Sequence, residues 1–399
     1  MPESAGAMPV SIDPPAPAGQ GSLAGGVMDG LDLTDHHCHG VATAGLDRDG
    51  FEALATESNW PAPAGTSMFD SQLGFAIRRW CAPLLDLEPH AAAEDYLARR
   101  QELGPDAVNR RLLGAAGLGI LLVDTGYRAG ELTSPAQTAA LAGGAGREIV
   151  RIESVAEQVA AAGTTPSSFG ADFAQALGHA AVDAVALKSI AAYRCGLDFD
   201  PSPPPVREVA RAAARWLDGA AAAGSVARLE DPVLLRHLLW TALELGKPLQ
   251  FHTGYGDDDL DLLRCNPLHL TGWLRATRST GVPMMLLHCY PYHREAGYLA
   301  QVFPHVYVDV GLAVNHTGSR SPAVIAESLE LTPFHKALFS TDAVGLPELH
   351  YLGSVLFRRG FGRAADRWIS GGDWSVQDAE RVAGLVGCRN AARAYGLEA

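Results

Sequence analysis

The sequence predicts an α/β fold: a parallel (β/α)8 TIM-type barrel with a helical insertion after its first strand. Three observations predict it. Eight short apolar runs are spaced along the chain by stretches of good helix formers. Most of these runs are continuously apolar rather than alternating, as expected where helices cover one face of a sheet and a packed interior covers the other. No glycine-rich phosphate turn follows an early run, which weighs against the competing doubly wound sheet.

In chain order, residues 1–29 are rich in Pro, Gly, Ala and Ser without a periodic apolar face, and read as a flexible tail ahead of a barrel over 30–399. The eight runs are Leu31–Asp35, Leu118–Asp124, Glu148–Glu153, Ala184–Lys188, Pro248–His252, Pro283–His288, Val306–Val310 and Ala337–Asp342. Helices are expected at Val206–Ala223 and Pro232–Leu245. In the second, Asp231 is the cap, Pro232 the first helical residue and Gly246 the left-handed end. The gap between the first two runs is too long for a simple loop. Its helical patterns around Ser71–Leu84, Pro89–Leu103 and Pro105–Leu113 make 41–117 a helical insertion, serving as a lid, a substrate wall or a homo-oligomer interface.

Composition narrows the function. A formal charge of −14 argues against nucleic acid as a partner, because phosphate binding needs a basic face. No stretch is apolar for long enough to span a membrane, and no basic segment precedes Arg48, as a secretory signal would require. Six cysteines without a CxxC pair fit a reducing, cytoplasmic setting. These features leave a small-molecule substrate. Lysine occurs only at 188, 247 and 336, the other basic residues being arginine, so each lysine is informative.

The chemistry should lie at the C-terminal ends of the strands. The first run leads into Asp35-His36-His37-Cys38-His39, the fourth ends at Lys188, the fifth at His252, the sixth at His288 and the eighth at Asp342. Alternate strand residues share a face, so His37 and His39 can present two imidazoles to one cation. A divalent metal is implied: zinc suits such ligands, with manganese, iron or nickel as substitutes. With His252 and Asp342 completing the set, bound water would become a nucleophile whose proton Asp342 takes and later delivers to the leaving group. An HxH pair alone is weak evidence; its recurrence at equivalent strand ends carries the reading.

Lys188 and His288 decide the number of ions. Carboxylated, Lys188 would bridge two cations, with His252 and His288 holding the second. As an ammonium it would instead bind a substrate carboxylate, with His288 polarising the scissile group beside one metal. Arg194 can hold a substrate carboxylate bidentately or make a surface salt bridge. Tyr290, Tyr292 and His293 line the loop after the sixth run, where packing competes with substrate stacking. Arg151 and Glu153 read as a buried ion pair. Asp257, Asp258 and Asp259 read as solvated or capping acids, and Cys38 and Cys289 should point away from the site.

These residues resemble the amidohydrolase superfamily pattern of HxH, Lys, His, His and Asp on strands one, four, five, six and eight. The chain is most similar to the amidohydrolase-2-related branch, in the module found fused to glutamine-synthetase-like domains. The matching stretches are Leu187–Leu197, Pro248–Leu263, Leu286–Leu299, Phe339–Glu348 and Asn390–Leu397. The resemblance implies hydrolysis of an amide or related C–N bond, with metal-assisted decarboxylation or hydration as the activities of other members. A non-catalytic scaffold would have lost ligands, and none is missing.

Overall fold

The computed structural model describes residue 28 and residues 30–128, 130–223 and 228–397. Apart from Met28, the segment expected as a tail lies outside the described residues. Met28 itself is buried and its carbonyl accepts a hydrogen bond from Arg358, so the packed chain includes it.

Among the described residues, seven parallel strands form one sheet in sequence order: β1 (Leu33–Cys38), β2 (Leu118–Asp124), β3 (Ala145–Arg151), β4 (Ala186–Ser189), β5 (Leu249–Thr253), β6 (Met284–His288) and β7 (Val306–Val308). The eighth expected strand, Ala337–Asp342, is not one. It makes a single bridge, Ala337 to Val308, and turns out of extended geometry at Asp342, where φ is 48°. It still joins the two edges of the sheet. Leu338 N donates to Val308 O at 2.9 Å on one side, and His36 N donates to Phe339 O at 3.2 Å on the other. Asp342 N to His37 O (3.1 Å) and His39 N to Ala343 O (2.8 Å) continue the seam.

Both faces of the sheet are covered, which explains the unbroken apolar runs. In β6, Met284 and Leu286 pack outward against helical residues such as Leu299 and Ala300, while Met285 and Leu287 pack inward beside Leu122, Ile149 and Tyr395. Tyr395 arrives on the helix Asn390–Tyr395, so a C-terminal helix fills part of the interior. The helices Val206–Ala223 and Pro232–Glu244 form as expected, with the Asp231 side chain accepting from Val233 N and Leu234 N, and Gly246 at φ 68°. No helix among the described residues is long and apolar enough to cross a membrane.

Between β1 and β2 stand the helices Arg48–Leu54, Gln72–Ala76, Ala93–Leu103 and Pro105–Ala115, with a π-helical turn at Ile77–Cys81. The first is an addition to the expected set, started by Asp47, whose side chain accepts from Gly50 N. This segment is bolted to the long helix Pro347–Ser370. Tyr96 Oη and Arg100 Nε donate to Glu348 Oε1 at 2.9 and 2.8 Å, all three residues being buried.

Candidate metal centre

The C-terminal strand ends surround a cavity of about 280 Å³, whose lining includes His37, His39, Lys188, His252, His288 and Asp342. All six predicted ligands therefore share one cavity. β1 delivers its histidines through an irregularity: the β1–β2 register shifts between Asp35 and Cys38. Such a bulge redirects side chains. His36 turns to Asp309 and Tyr395, while His37 and His39 face the cavity. At the other ends, His288 (φ 66°) and Asp342 (φ 48°) occupy left-handed backbone that ordinary residues avoid. Their amides are tied down, His288 N to Asp309 Oδ1 at 3.2 Å and Asp342 N to His37 O at 3.1 Å. Strain of this kind persists where surrounding structure enforces it, commonly at functional sites.

Asp342 is the hub. Its Oδ1 lies 3.2 Å from His37 Nε2 and 3.9 Å from His39 Nε2, and its Oδ2 lies 3.3 Å from His288 Nδ1. Lys188 Nζ stands 3.4 Å from His37 Nε2. The imidazole of His252 is 4.8 Å from that of His288, centre to centre, and its buried Nε2 has no hydrogen-bond partner.

Hydrogen bonding dictates the tautomers. Gln250 Nε2 donates to the His36 carbonyl (2.9 Å), so Gln250 Oε1 faces His37 Nδ1 at 2.8 Å. Nδ1 must then carry the proton, leaving a lone pair on Nε2 toward the cavity. His39 Nδ1 likewise donates to the Asp124 carbonyl at 3.0 Å. The chain continues from Gln250 Nε2 to Tyr395 Oη (2.8 Å), from there to His36 Nδ1 (2.9 Å), and from His36 Nε2 to Asp309 Oδ2 (3.1 Å). Orienting partners of this type are the usual companions of metal-binding histidines.

Charge energetics point the same way. Burial holds His37, His252 and His288 well below the ordinary histidine range and His39 at about 4, keeping all four neutral. Burial brings Lys188 down to about 8, against the pull of Asp124 and Asp342, and pushes the Asp342 carboxyl well up. Against its own burial, Asp124 is brought to about 2 by the Arg151 guanidinium, 2.6 Å away. Neutral imidazole lone pairs around a buried carboxylate form a donor set that fits a divalent cation: His37, His288 and Asp342 can each offer an atom to one ion, as can His37, His39 and Asp124.

Other expectations resolve differently. Arg194 lines the cavity and pairs with Glu157 at 3.2 Å, with its buried Nε unpartnered. Arg151 pairs with Asp124 rather than Glu153, because Glu153 lies past the end of β3 and accepts from Ser189 Oγ and Ile190 N. Tyr290 is not among the lining residues. The left-handed turn at His288 and Cys289 carries it away, and its ring stacks on His293 at 5.7 Å. Tyr193 lines the cavity in its place, its ring centre 4.4 Å from that of His252. Cys38 and Cys289 are buried, their thiols donating to the Leu122 and Leu286 carbonyls. Gln250, Asp124, Asp309, Tyr193 and Glu57 were not anticipated. The polar ends of β2 and of the seventh run would have flagged Asp124 and Asp309, and Gln250 shares a strand face with His252.

Comparison with known proteins agrees with this geometry. Residues 134–397 match the amidohydrolase family profile. Protein fluG of Emericella nidulans is 34% identical over 282 residues, which are 63% of this chain and 32% of that protein, so the match spans about a third of that relative. A crystal structure from Lactobacillus casei ATCC 334, of a protein proposed to be a metal-dependent hydrolase, is 30% identical with a TM-score of 0.82 over 95% of this chain and 98% of that one. Uronate isomerase from Thermotoga maritima shares the fold alone, at 12% identity and a TM-score of 0.59 over 93% of this chain and 96% of its own. With a profile match over most of the chain and neutral histidines gathered on one carboxylate, the chain belongs to the amidohydrolase family.

Proposed function

We propose that the protein is a metal-dependent hydrolase that cleaves an amide or related C–N bond in a small, carboxylate-bearing substrate. The observation that carries this reading is the convergence of the unprotonated Nε2 atoms of His37 and His39 on the Asp342 carboxylate. His37, His39, His288 and Asp342 would hold one cation, since the three imidazoles gather around the Asp342 carboxylate, and zinc suits their chemistry, with manganese, iron or nickel as substitutes. A cation there supplies Lewis acidity and lowers the pKa of water.

The protein's own groups do the rest. Asp342, whose proton affinity burial raises, takes a proton from the attacking water and returns it to the leaving nitrogen. Lys188, buried beside it, steadies the anionic form of Asp342. His252 directs its free Nε2 at the substrate, and Arg194 offers its unpartnered Nε to a substrate carboxylate. Ala53, Leu54 and residues 56–59 of the segment after β1 contribute to the cavity lining, which supports that segment as a substrate wall. Six unpaired cysteines support a reducing, cytoplasmic location.

Elemental analysis of purified protein should find one divalent ion per chain, and native mass spectrometry no carboxylate adduct on Lys188. Asp342→Asn should lower kcat roughly 10²–10⁴-fold on any amide that is turned over, and His37→Ala should lose the ion. Metal-free protein with full activity would sink the proposal. Release of carbon dioxide without water incorporation would move it to a decarboxylase.

A further inference from the structure

The reacting groups occupy the deep end of the cavity, and its outer wall carries a charge arrangement that the chemistry above does not use. Glu57, just past the helix Arg48–Leu54, and Asp257, in the loop after β5, both line this wall. Their loops are fastened together: Asn59 Nδ2 and Trp60 Nε1 donate to the two oxygens of Asp258 at 2.5 and 2.7 Å. The fastening holds two carboxylates in each other's field, where like charges repel. Burial first, and then the Asp257 charge, pushes the Glu57 carboxyl up to about 7.

Among the described residues, no cation pairs directly with Glu57 or Asp257, and the Arg228 charge offsets the Asp257 carboxylate only from a distance. The arginines lining the cavity pair with other carboxylates: Arg151 with Asp124 at 2.6 Å, Arg194 with Glu157 at 3.2 Å through a guanidinium whose Nε stays unpartnered, and Arg228 with Asp259 at 2.5 Å. Among the described residues, the one ion-pair neighbour of Glu57 is His316, 3.7 Å away, which burial keeps neutral at about 4. The Asp257 carboxylate accepts from the Asp259 amide at 3.0 Å. The same cavity also holds an unpartnered polar atom, the Nε2 of His252, whose residue is 4% exposed. The negative wall lies close enough for the Glu57 charge to act on Asp342, so a ligand spanning the two is short.

We infer that the substrate carries a cationic nitrogen, an ammonium or amidinium group, bound by the Glu57–Asp257 wall at the end remote from the scissile bond. The inference rests on the hydrolase reading for which bond breaks, but not for which ligand binds. Together with a carboxylate at Arg194 it makes the substrate a short zwitterionic amide. The cation would supply the direct ion pair that Glu57 and Asp257 lack, and its loss would leave the partly buried Glu57 without a charged partner.

The test is calorimetric titration of the zinc-loaded full chain with ω-aminoacyl-glycines of increasing length, each paired with its N-acetylated counterpart. At the best length, the ammonium-bearing member should bind at least about tenfold more tightly, a difference of about 1.4 kcal/mol. Glu57→Gln and Asp257→Asn should each shrink that ratio several-fold, with circular dichroism and Tm confirming a folded protein. Equal binding within every pair, tighter binding of the acetylated member, no binding of either, or a ratio unchanged in both variants overturns the inference. Product analysis on the same pairs separates the two ideas. An ammonium preference in binding without cleavage sinks the hydrolase alone, and cleavage of both members with equal kcat/KM sinks the cationic wall alone.

Discussion

Gln250 does no chemistry, yet it fixes which nitrogen of His37 faces the cavity. Its amide nitrogen must meet the His36 carbonyl and Tyr395 hydroxyl, so its oxygen must meet His37 Nδ1. Gln250→Leu frees that tautomer and should weaken zinc binding about 10–100-fold, measured by competition with a chromophoric chelator; unchanged affinity would refute the role. A second residue-scale prediction concerns pH. His316 titrates near 4 in the fold, because burial disfavours its charged form, against 6.5 when exposed. The unfolded chain therefore binds its proton first, and stability falls as pH drops from about 6.5 toward 4. Near pH 5 the single-site loss is about 2 kcal/mol. Urea unfolding of His316→Gln should show a correspondingly smaller drop between pH 7 and pH 5. At this scale the sequence made the reactive residues legible, because His, Lys and Asp at strand ends have few other uses. Gln250 and Glu57 were not legible: one has no reactive group, and the other depends on which loop folds against it.

At the scale of elements, the buried triad of Tyr96, Arg100 and Glu348 joins the helix Ala93–Leu103 to the helix Pro347–Ser370. Glu348→Ala would leave Arg100 charged and unpaired in a dry setting, at a cost of about 3–5 kcal/mol in denaturant unfolding. A cost below 1 kcal/mol would mean that the segment after β1 is held by apolar packing alone. Element positions were read well where local signals agree, as with Asp231, Pro232 and Gly246 around one helix. They were read less well where tertiary demands intervene. β3 stops at Arg151, and Glu153 accepts from Ser189 at the end of β4 and from Ile190 just past it. The apolar run at Ala337–Asp342 joins both neighbours without becoming a ladder, since Asp342 must turn toward the imidazoles. Tyr290 went astray for the same reason: the backbone of His288 and Cys289 reverses just before it.

For the whole molecule, the telling feature is where the sheet meets itself. His37 and His39 lie on one side of that seam and Asp342 on the other, with their own backbones exchanging hydrogen bonds across it. An ion shared by those three side chains, as proposed, would therefore also be a rivet, closing a loop of roughly 300 residues whose entropy opposes closure. Occupancy and integrity become one equilibrium, since a ligand that binds only the folded chain stabilises it by mass action. Hydrogen exchange should register this at the amides of His36, Leu338 and Asp342, which ought to open faster after chelation while amides in the middle of the sheet, such as Phe251, change little. Uniform loosening would mean that the ion holds the protein together everywhere equally. Selective loosening would mean that this fold comes undone along one line, and that the reaction centre is built on its fastening.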